Sequence, residues 1–189
     1  IGEFLLIYSG TLDARRRLDQ MIMGFKLACD RIDNASLLII GEGSSKRKLE
    51  EQAVRLGIRN KVIFTGYLPY RDVALYLGAA DVGICFLPKE RMYEFQPPMK
   101  VIEYLASELP VIATSTTGNK RFIISGFNGL LIDDNPMSLA EALTKLHDNN
   151  LLRRMSEVCR TSVTAYQWNT IIERDVIPLY HSLARGKCA

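Results

Sequence analysis

Residues 93–106 read YEFQPPMKVIEYLA, and the fold turns on how that stretch is read. Pro97 and Pro98 stand where a helix would begin, a place that suits proline because the N–H it lacks would be unpaired there anyway. The next backbone donors are those of Met99, Lys100 and Val101. A helix start with free N–H groups and the positive end of the dipole is a ready site for an anion. Lys100 adds a mobile positive charge at the same end. Ile102, Leu105, Ala106 and Leu109 recur at helical spacing and predict the buried stripe. Lys100, Glu103 and Ser107 form a polar line beside it. One reading places a phosphate at the head of this helix and a sugar hydroxyl on Glu103; the other is a Lys–Glu pair on an ordinary surface helix. Short apolar runs at 82–86 and 110–114 flank the stretch, so the helix joins two strands.

Working outward, the same alternation continues. Toward the N-terminus, apolar runs at 4–8, 36–40 and 61–65 each end in a glycine-bearing turn: Ser9-Gly10, then Gly41-Glu42-Gly43-Ser44, then Gly66-Tyr67-Leu68-Pro69. Leu18, Met21, Ile22, Phe25, Ala28 and Ile32 predict a helix after the first run. Leu49, Ala53 and Leu56 predict one after the second, stopped by Gly57. Val73, Leu77 and Ala80 predict one after the third. Toward the C-terminus, a polar turn at 115–119 follows the fifth run, and Gly129-Leu130-Leu131-Ile132 is the sixth. Asn135-Pro136 caps a helix with Leu139, Leu143 and Leu146 inside. Helices over 150–165 and 168–184 complete the chain, the last kinked by Pro178.

Strict strand–helix alternation with short apolar strands predicts an α/β fold: a Rossmann-like, doubly wound, six-stranded parallel sheet with helices on both faces. Without repeat, linker or low-complexity stretch, residues 1–189 read as one domain. In such sheets a ligand sits beyond the carboxyl ends of the strands. The loops after Gly10, Gly41, Gly66, residue 86 and residue 114 all fall at that edge. Arg15, Arg16 and Arg17 stand at the start of the first helix, the unfavourable end of its dipole, which points to an anion beside Arg16 or Arg17. The glycines of GEGS either admit a ligand close to the backbone or merely turn the chain.

The 189 residues are 48% hydrophobic with a formal charge of +3, enough for a full core and too weakly basic to argue for nucleic acid. The four cysteines, Cys29, Cys85, Cys159 and Cys188, form no CxxC, and the two histidines are His147 and His181. That excludes the usual zinc and disulfide patterns and suits a reducing, cytoplasmic compartment. No signal peptide or spanning segment is read, and the chain looks like a piece of something longer.

Five blocks, in order, carry a family resemblance: YSGTLDARRRLDQMI, LLIIGEGSSKRKLEEQAVRLGIRNKVIFTGYLP, ALYLGAADVGICFLP, PPMKVIEYLASELPVIAT and GNKRFIISGFNGLLI. Together they resemble the C-terminal, nucleotide-sugar-binding half of the GT-B-fold retaining glycosyltransferases of family 4, the group 1 glycosyl transferases. The resemblance implies a donor-binding domain that uses a nucleotide-diphosphate sugar, UDP before GDP, with retention of anomeric configuration and without a metal or other cofactor. It implies catalytic roles for Arg16 and Lys100 on the diphosphate and for Glu103 on the donor ribose. It places Gly10, Gly41, Gly66, Tyr67, Met99 and Thr117 around the donor. The implied partners are the donor, an N-terminal acceptor domain beyond this chain, and the inner face of a membrane for the full-length enzyme. Phe95 stands where the first Glu of the family's E-x7-E motif is usual, with Glu94 beside it as a candidate substitute. Thr11 stands in place of a usual Arg, Arg17 of a usual Gly, and Pro98 of a phosphate-loop glycine. Two alternatives stay open: a nucleotide-sugar-binding module without catalysis, and a GT-B sugar-nucleotide epimerase.

Overall fold

The alternation of apolar runs and amphipathic segments becomes a single sheet in the structure, a computed structural model that describes residues 4–96 and 98–186. Pro97 and Cys188 lie outside the described residues. The strands are β1 (Phe4–Ser9), β2 (Ala35–Ile40), β3 (Val62–Gly66), β4 (Val82–Cys85), β5 (Val111–Thr114) and β6 (Gly129–Ile132). All pair in parallel in the order β3-β2-β1-β4-β5-β6. The helices are α1 (Leu18–Cys29), α2 (Lys46–Arg55), α3 (Tyr70–Leu77), α4 (Arg91–Glu94), α5 (Met99–Ala106), α6 (Thr117–Lys120), α7 (Pro136–Leu146), α8 (Asn149–Ser162), α9 (Trp168–Ile171) and α10 (Ile177–Gly186).

Parallel strands need long crossovers, and the crossover helices cover both faces, so the strands are apolar on both sides. Along β1, Phe4, Leu6 and Tyr8 face a core built with α1, α2 and α7. Leu5 and Ile7 face the opposite core, built with α3, α5 and part of α8. Cys29, Cys85 and Cys159 are buried free thiols within these layers. Asn135 caps α7 by accepting from the Ser138 N–H, with Pro136 in the first turn, as the sequence predicts.

Strand order reverses between β1 and β4. Neighbouring loops diverge at such a switch point and leave a crevice at the carboxyl edge. α5 lies across it and is pinned there. The Ser9 N–H donates to the Tyr104 hydroxyl at 2.8 Å, and the Tyr104 ring lies over Gly83 of β4, where a Cβ would stand 2.4 Å from the ring.

The structure corrects four expectations. The buried face of α5 is Val101, Tyr104 and Leu105, not Ile102 and Ala106, because the Tyr104 hydroxyl finds Ser9 as its partner and the ring can go inside. The three arginines are not on α1: a separate 3-10 turn, Ala14–Arg16, carries two of them, Asp13 caps it, and Arg17 breaks the chain at φ 50° before α1 starts. The stretches after residues 86 and 114, read as a loop and a polar turn, hold the one-turn helices α4 and α6. Ahead of Pro178 the helix widens into a π turn, Ile172–Val176, closed by Ile177 N–H donating to the Ile172 carbonyl. That widening accommodates a ring that would clash in a regular α turn.

Candidate functional site

A cleft of about 550 Å³ opens at the switch point. Its floor is main chain. Gly10 N–H donates to the Ile40 carbonyl, Gly41 N–H to Gly66, and Leu12 N–H to Glu42, each at 2.9 Å. A Cβ on Gly41 would lie 2.0 Å from the Gly10 carbonyl oxygen, and one on Gly43 would lie 2.4 Å from that of Leu12. The GEGS glycines therefore admit the chain's own 10–12 loop. Gly10 and Gly41 also line the cleft; Gly66 does not, although its neighbour Tyr67 does.

One wall is the head of α5, where Pro98, Met99, Lys100 and Glu103 face the cleft. No side chain caps this helix. The Val101 N–H is not free as expected, because it donates to the Pro98 carbonyl at 3.0 Å. The amides of Met99 and Lys100 have no acceptor among the described residues. The Lys100 ammonium is shut from solvent and, among the described residues, has no hydrogen-bond partner. It sits 4.0 Å from the centroid of the Tyr8 ring and beside Gly10, where a Cβ would stand 2.8 Å from Nζ. It does not pair with Glu103, so the plain surface Lys–Glu pair is not what the helix carries. A buried ammonium without a counter-charge is costly. The ammonium, the Met99 and Lys100 amides and the positive end of the helix dipole all lie at the α5 head, an arrangement suited to an anion.

Of the three arginines only Arg16 lines the cleft. Arg15 is held by Asp13 through Nε and Nη2, both at 3.1 Å, and Arg17 lies 3.6 Å from Asp134. The Arg15 side chain and its backbone N–H hold the Asp13 carboxyl down at about 2. At the far end of the cleft Tyr67 and Tyr70 are about three-quarters exposed, flanking Leu68. Among the described residues neither ring stacks on another, and both faces suit stacking.

Thr117 lies away from the cleft lining, and both its donors are engaged: its N–H and hydroxyl reach Glu94 Oε1 at 2.9 and 2.5 Å. These bonds, with Lys120 and Lys89 nearby, hold the Glu94 carboxyl below its ordinary range. Glu94 is thus tied to α6 and does not line the cleft, while Gln96 does. The other residues of the 114–119 turn also serve the interior. Thr114 Oγ1 accepts from Leu87 N–H at 3.0 Å, and Asn119 donates to the Thr114 carbonyl at 2.7 Å.

Sequence reasoning did not single out Tyr8, Tyr70 or Gln96. Tyr70 had a legible signal, an aromatic three residues beyond Tyr67 past a strand end. Tyr8 had none, since it reads as one more apolar strand residue.

The chain is a doubly wound α/β protein with an uncapped, lysine-bearing helix head at its switch point, the place where ligands of such sheets sit. The chain belongs to the glycosyl transferases group 1, whose family model matches residues 2–161. It is 27% identical over 173 residues to the putative glycosyltransferase EpsD of Bacillus subtilis, covering 90% of this chain and 44% of that protein. It is 29% identical over 163 residues to a GDP-mannose-dependent phosphatidylinositol dimannoside mannosyltransferase of Mycobacterium tuberculosis, covering 82% of this chain and 40% of that one. The chain thus spans less than half the length of these relatives. Among solved structures it is similar to the pneumococcal O-GlcNAc transferase GtfA in complex with UDP and GlcNAc, with a TM-score of 0.84 at 19% identity over 96% of this chain and 36% of that one. It also resembles the C-terminal domain of the group 1 family protein LpcC from Francisella tularensis, with a TM-score of 0.77 at 21% identity and 88% coverage of each chain. No helix among the described residues is long and apolar enough to cross a membrane.

Proposed function

We propose that residues 1–189 form the donor-binding domain of a retaining glycosyltransferase that takes a sugar from a nucleotide diphosphate. The observation that carries this reading is the Lys100 ammonium, enclosed at the uncapped head of α5 and, among the described residues, without a counter-charge. A diphosphate fits that place. Its oxygens accept from the Met99 and Lys100 amides and from the ammonium, while Arg16 faces them from across the cleft. Glu103, one turn further along, accepts from a ribose hydroxyl. Tyr67 and Tyr70 take the base. As the glycosidic bond breaks, negative charge grows on the leaving diphosphate, and fixed donors stabilise it without reorganising. In the retaining route the acceptor oxygen bonds to the anomeric carbon on the same face from which the diphosphate departs, as the bond from that carbon to the phosphate oxygen breaks, and the leaving phosphate takes the acceptor hydroxyl's proton. Glycosyl acceptors then belong to a further, N-terminal domain, and the full-length enzyme works in the cytoplasm or at the inner face of a membrane.

A second reading, a nucleotide-sugar-binding module without transfer, draws on one feature. Glu94, the nearest carboxylate to the position where the family motif places its first Glu, is tied to Thr117. Calorimetric titration of this chain with UDP, GDP and their hexose conjugates tests the shared core of both readings. Micromolar to millimolar binding that weakens in Lys100→Ala and Glu103→Ala is expected. Absence of binding by every nucleotide, or unchanged affinity in both variants, overturns it. Transfer assayed with the full-length protein then separates enzyme from module.

A further inference from the structure

We propose that Tyr8 is a positioning residue: its ring is the berth that keeps the Lys100 ammonium at the anion site with its charge uncompensated. The proposal rests on the reading of the cleft as a diphosphate site.

A lysine beside a cleft would ordinarily turn to a carboxylate or to water. Here Glu42, which lines the same cleft, holds Lys46 at 2.6 Å. Glu103 shares helix and cleft with Lys100 and forms no ion pair with it. The ammonium instead lies 4.0 Å from the Tyr8 ring centroid, within cation–π range. Gly10 supplies the room beside it that a side chain would fill.

The distinction matters for an arriving anion. A carboxylate partner would cancel the charge and repel phosphate oxygens. A ring attracts the cation through its quadrupole but carries no net charge. The lysine is therefore held in place and still presents its full charge. The Tyr8 ring is wholly buried near the end of β1, and its hydroxyl donates to the Thr11 carbonyl at 3.3 Å. That bond is long, so the ring and not the hydroxyl should carry the effect.

The test is a double-mutant cycle read by calorimetry with inorganic pyrophosphate and with UDP, on the wild type, Tyr8→Phe, Tyr8→Leu, Lys100→Ala and the Tyr8→Leu/Lys100→Ala pair. Tyr8→Phe should stay within roughly twofold of wild type, and Tyr8→Leu should lose about tenfold in affinity. In the Lys100→Ala background Tyr8→Leu should cost nothing further. Equal losses in Phe and Leu, or the same loss from Leu with and without Lys100, overturn the role of Tyr8 and leave the diphosphate site standing. A wild type that binds neither probe removes the diphosphate reading and this proposal with it. Should Tyr8→Leu not fold, proton–carbon NMR of the wild type decides. Lys100 ε-methylene protons shifted upfield by the ring support the berth, and shifts typical of a solvated lysine overturn it.

Discussion

Tyr104 shows how one hydroxyl can fix a site. It accepts from Ser9 N–H and lies 3.2 Å from Ser9 Oγ, tying the body of α5 to the last residue of β1. Burial pushes its phenol up, so it stays neutral and keeps this role across the working pH range. Tyr104→Phe leaves the Ser9 N–H without its partner and should cost about 1–2 kcal/mol in a denaturant melt; a change under about 0.3 kcal/mol would deny the tie. Asp13 gives a pH prediction. Its native value, about 2, lies below the ordinary 3.8. A depressed carboxylate contributes stability that is present above the ordinary value and lost as pH falls through about 2. The Asp13 carboxyl carbon should therefore titrate near 2 by NMR, with the Arg15 clip intact at pH 3, and a midpoint near 4 would contradict it. Residue roles were unevenly legible. Lys100, Glu103 and Arg16 could be chosen because charge at a helix head or after a buried strand is visible in sequence. The pairing of Lys100 with Tyr8 could not, because it joins positions far apart through one rotamer. The Thr117 contact with Glu94 was hidden for the same reason, since Glu94 reaches it across the fold.

Elements long enough to show a period were readable, and single turns were not. The six apolar runs and the stripes of α1 and α7 repeat often enough to declare themselves. α4 and α6 span four residues each, one turn, too short for any periodicity. The face of α5 was drawn one step off because Tyr104 reads as an edge residue until a partner for its hydroxyl is known. Packing between α5 and β4 leaves no room for error. A Cβ at Gly83 would stand 2.4 Å from the Tyr104 ring. Gly83→Ala should destabilise by about 1–3 kcal/mol or more and weaken nucleotide binding with it, because α5 must back away from the sheet. Thermal unfolding and calorimetry on the same sample check both; an unshifted melting temperature would show that the helix has slack. The Glu94 link between α4 and α6 should behave otherwise. Glu94→Gln keeps an acceptor for Thr117 and should leave nucleotide affinity within roughly twofold, whereas a group that met the ligand directly would lose about tenfold or more.

For the molecule as a whole, strand order was the one large feature the sequence could only imply. Alternation predicts parallel strands and both-sided cover, and the family resemblance supplied the rest. The reversal between β1 and β4 places the arginine turn and the α5 head around one crevice although many residues separate them in the chain. Binding there is expected to be electrostatic: Arg16→Ala and Lys100→Ala should each lower nucleotide affinity by about tenfold, and affinity should fall as salt rises. Salt-independent binding would point to the base alone. By itself this chain should bind donor and transfer nothing, which a radiolabelled-sugar assay on residues 1–189 would check.

The floor of the crevice has one more implication. Gly10, Gly41 and their neighbours join main chain to main chain, with no side chain between. On the donor-binding reading, substitutions at Tyr67, Tyr70 or Gln96 on the rim should retune which donor is accepted, whereas any side chain at Gly41 would strike the Gly10 carbonyl and disrupt the platform itself.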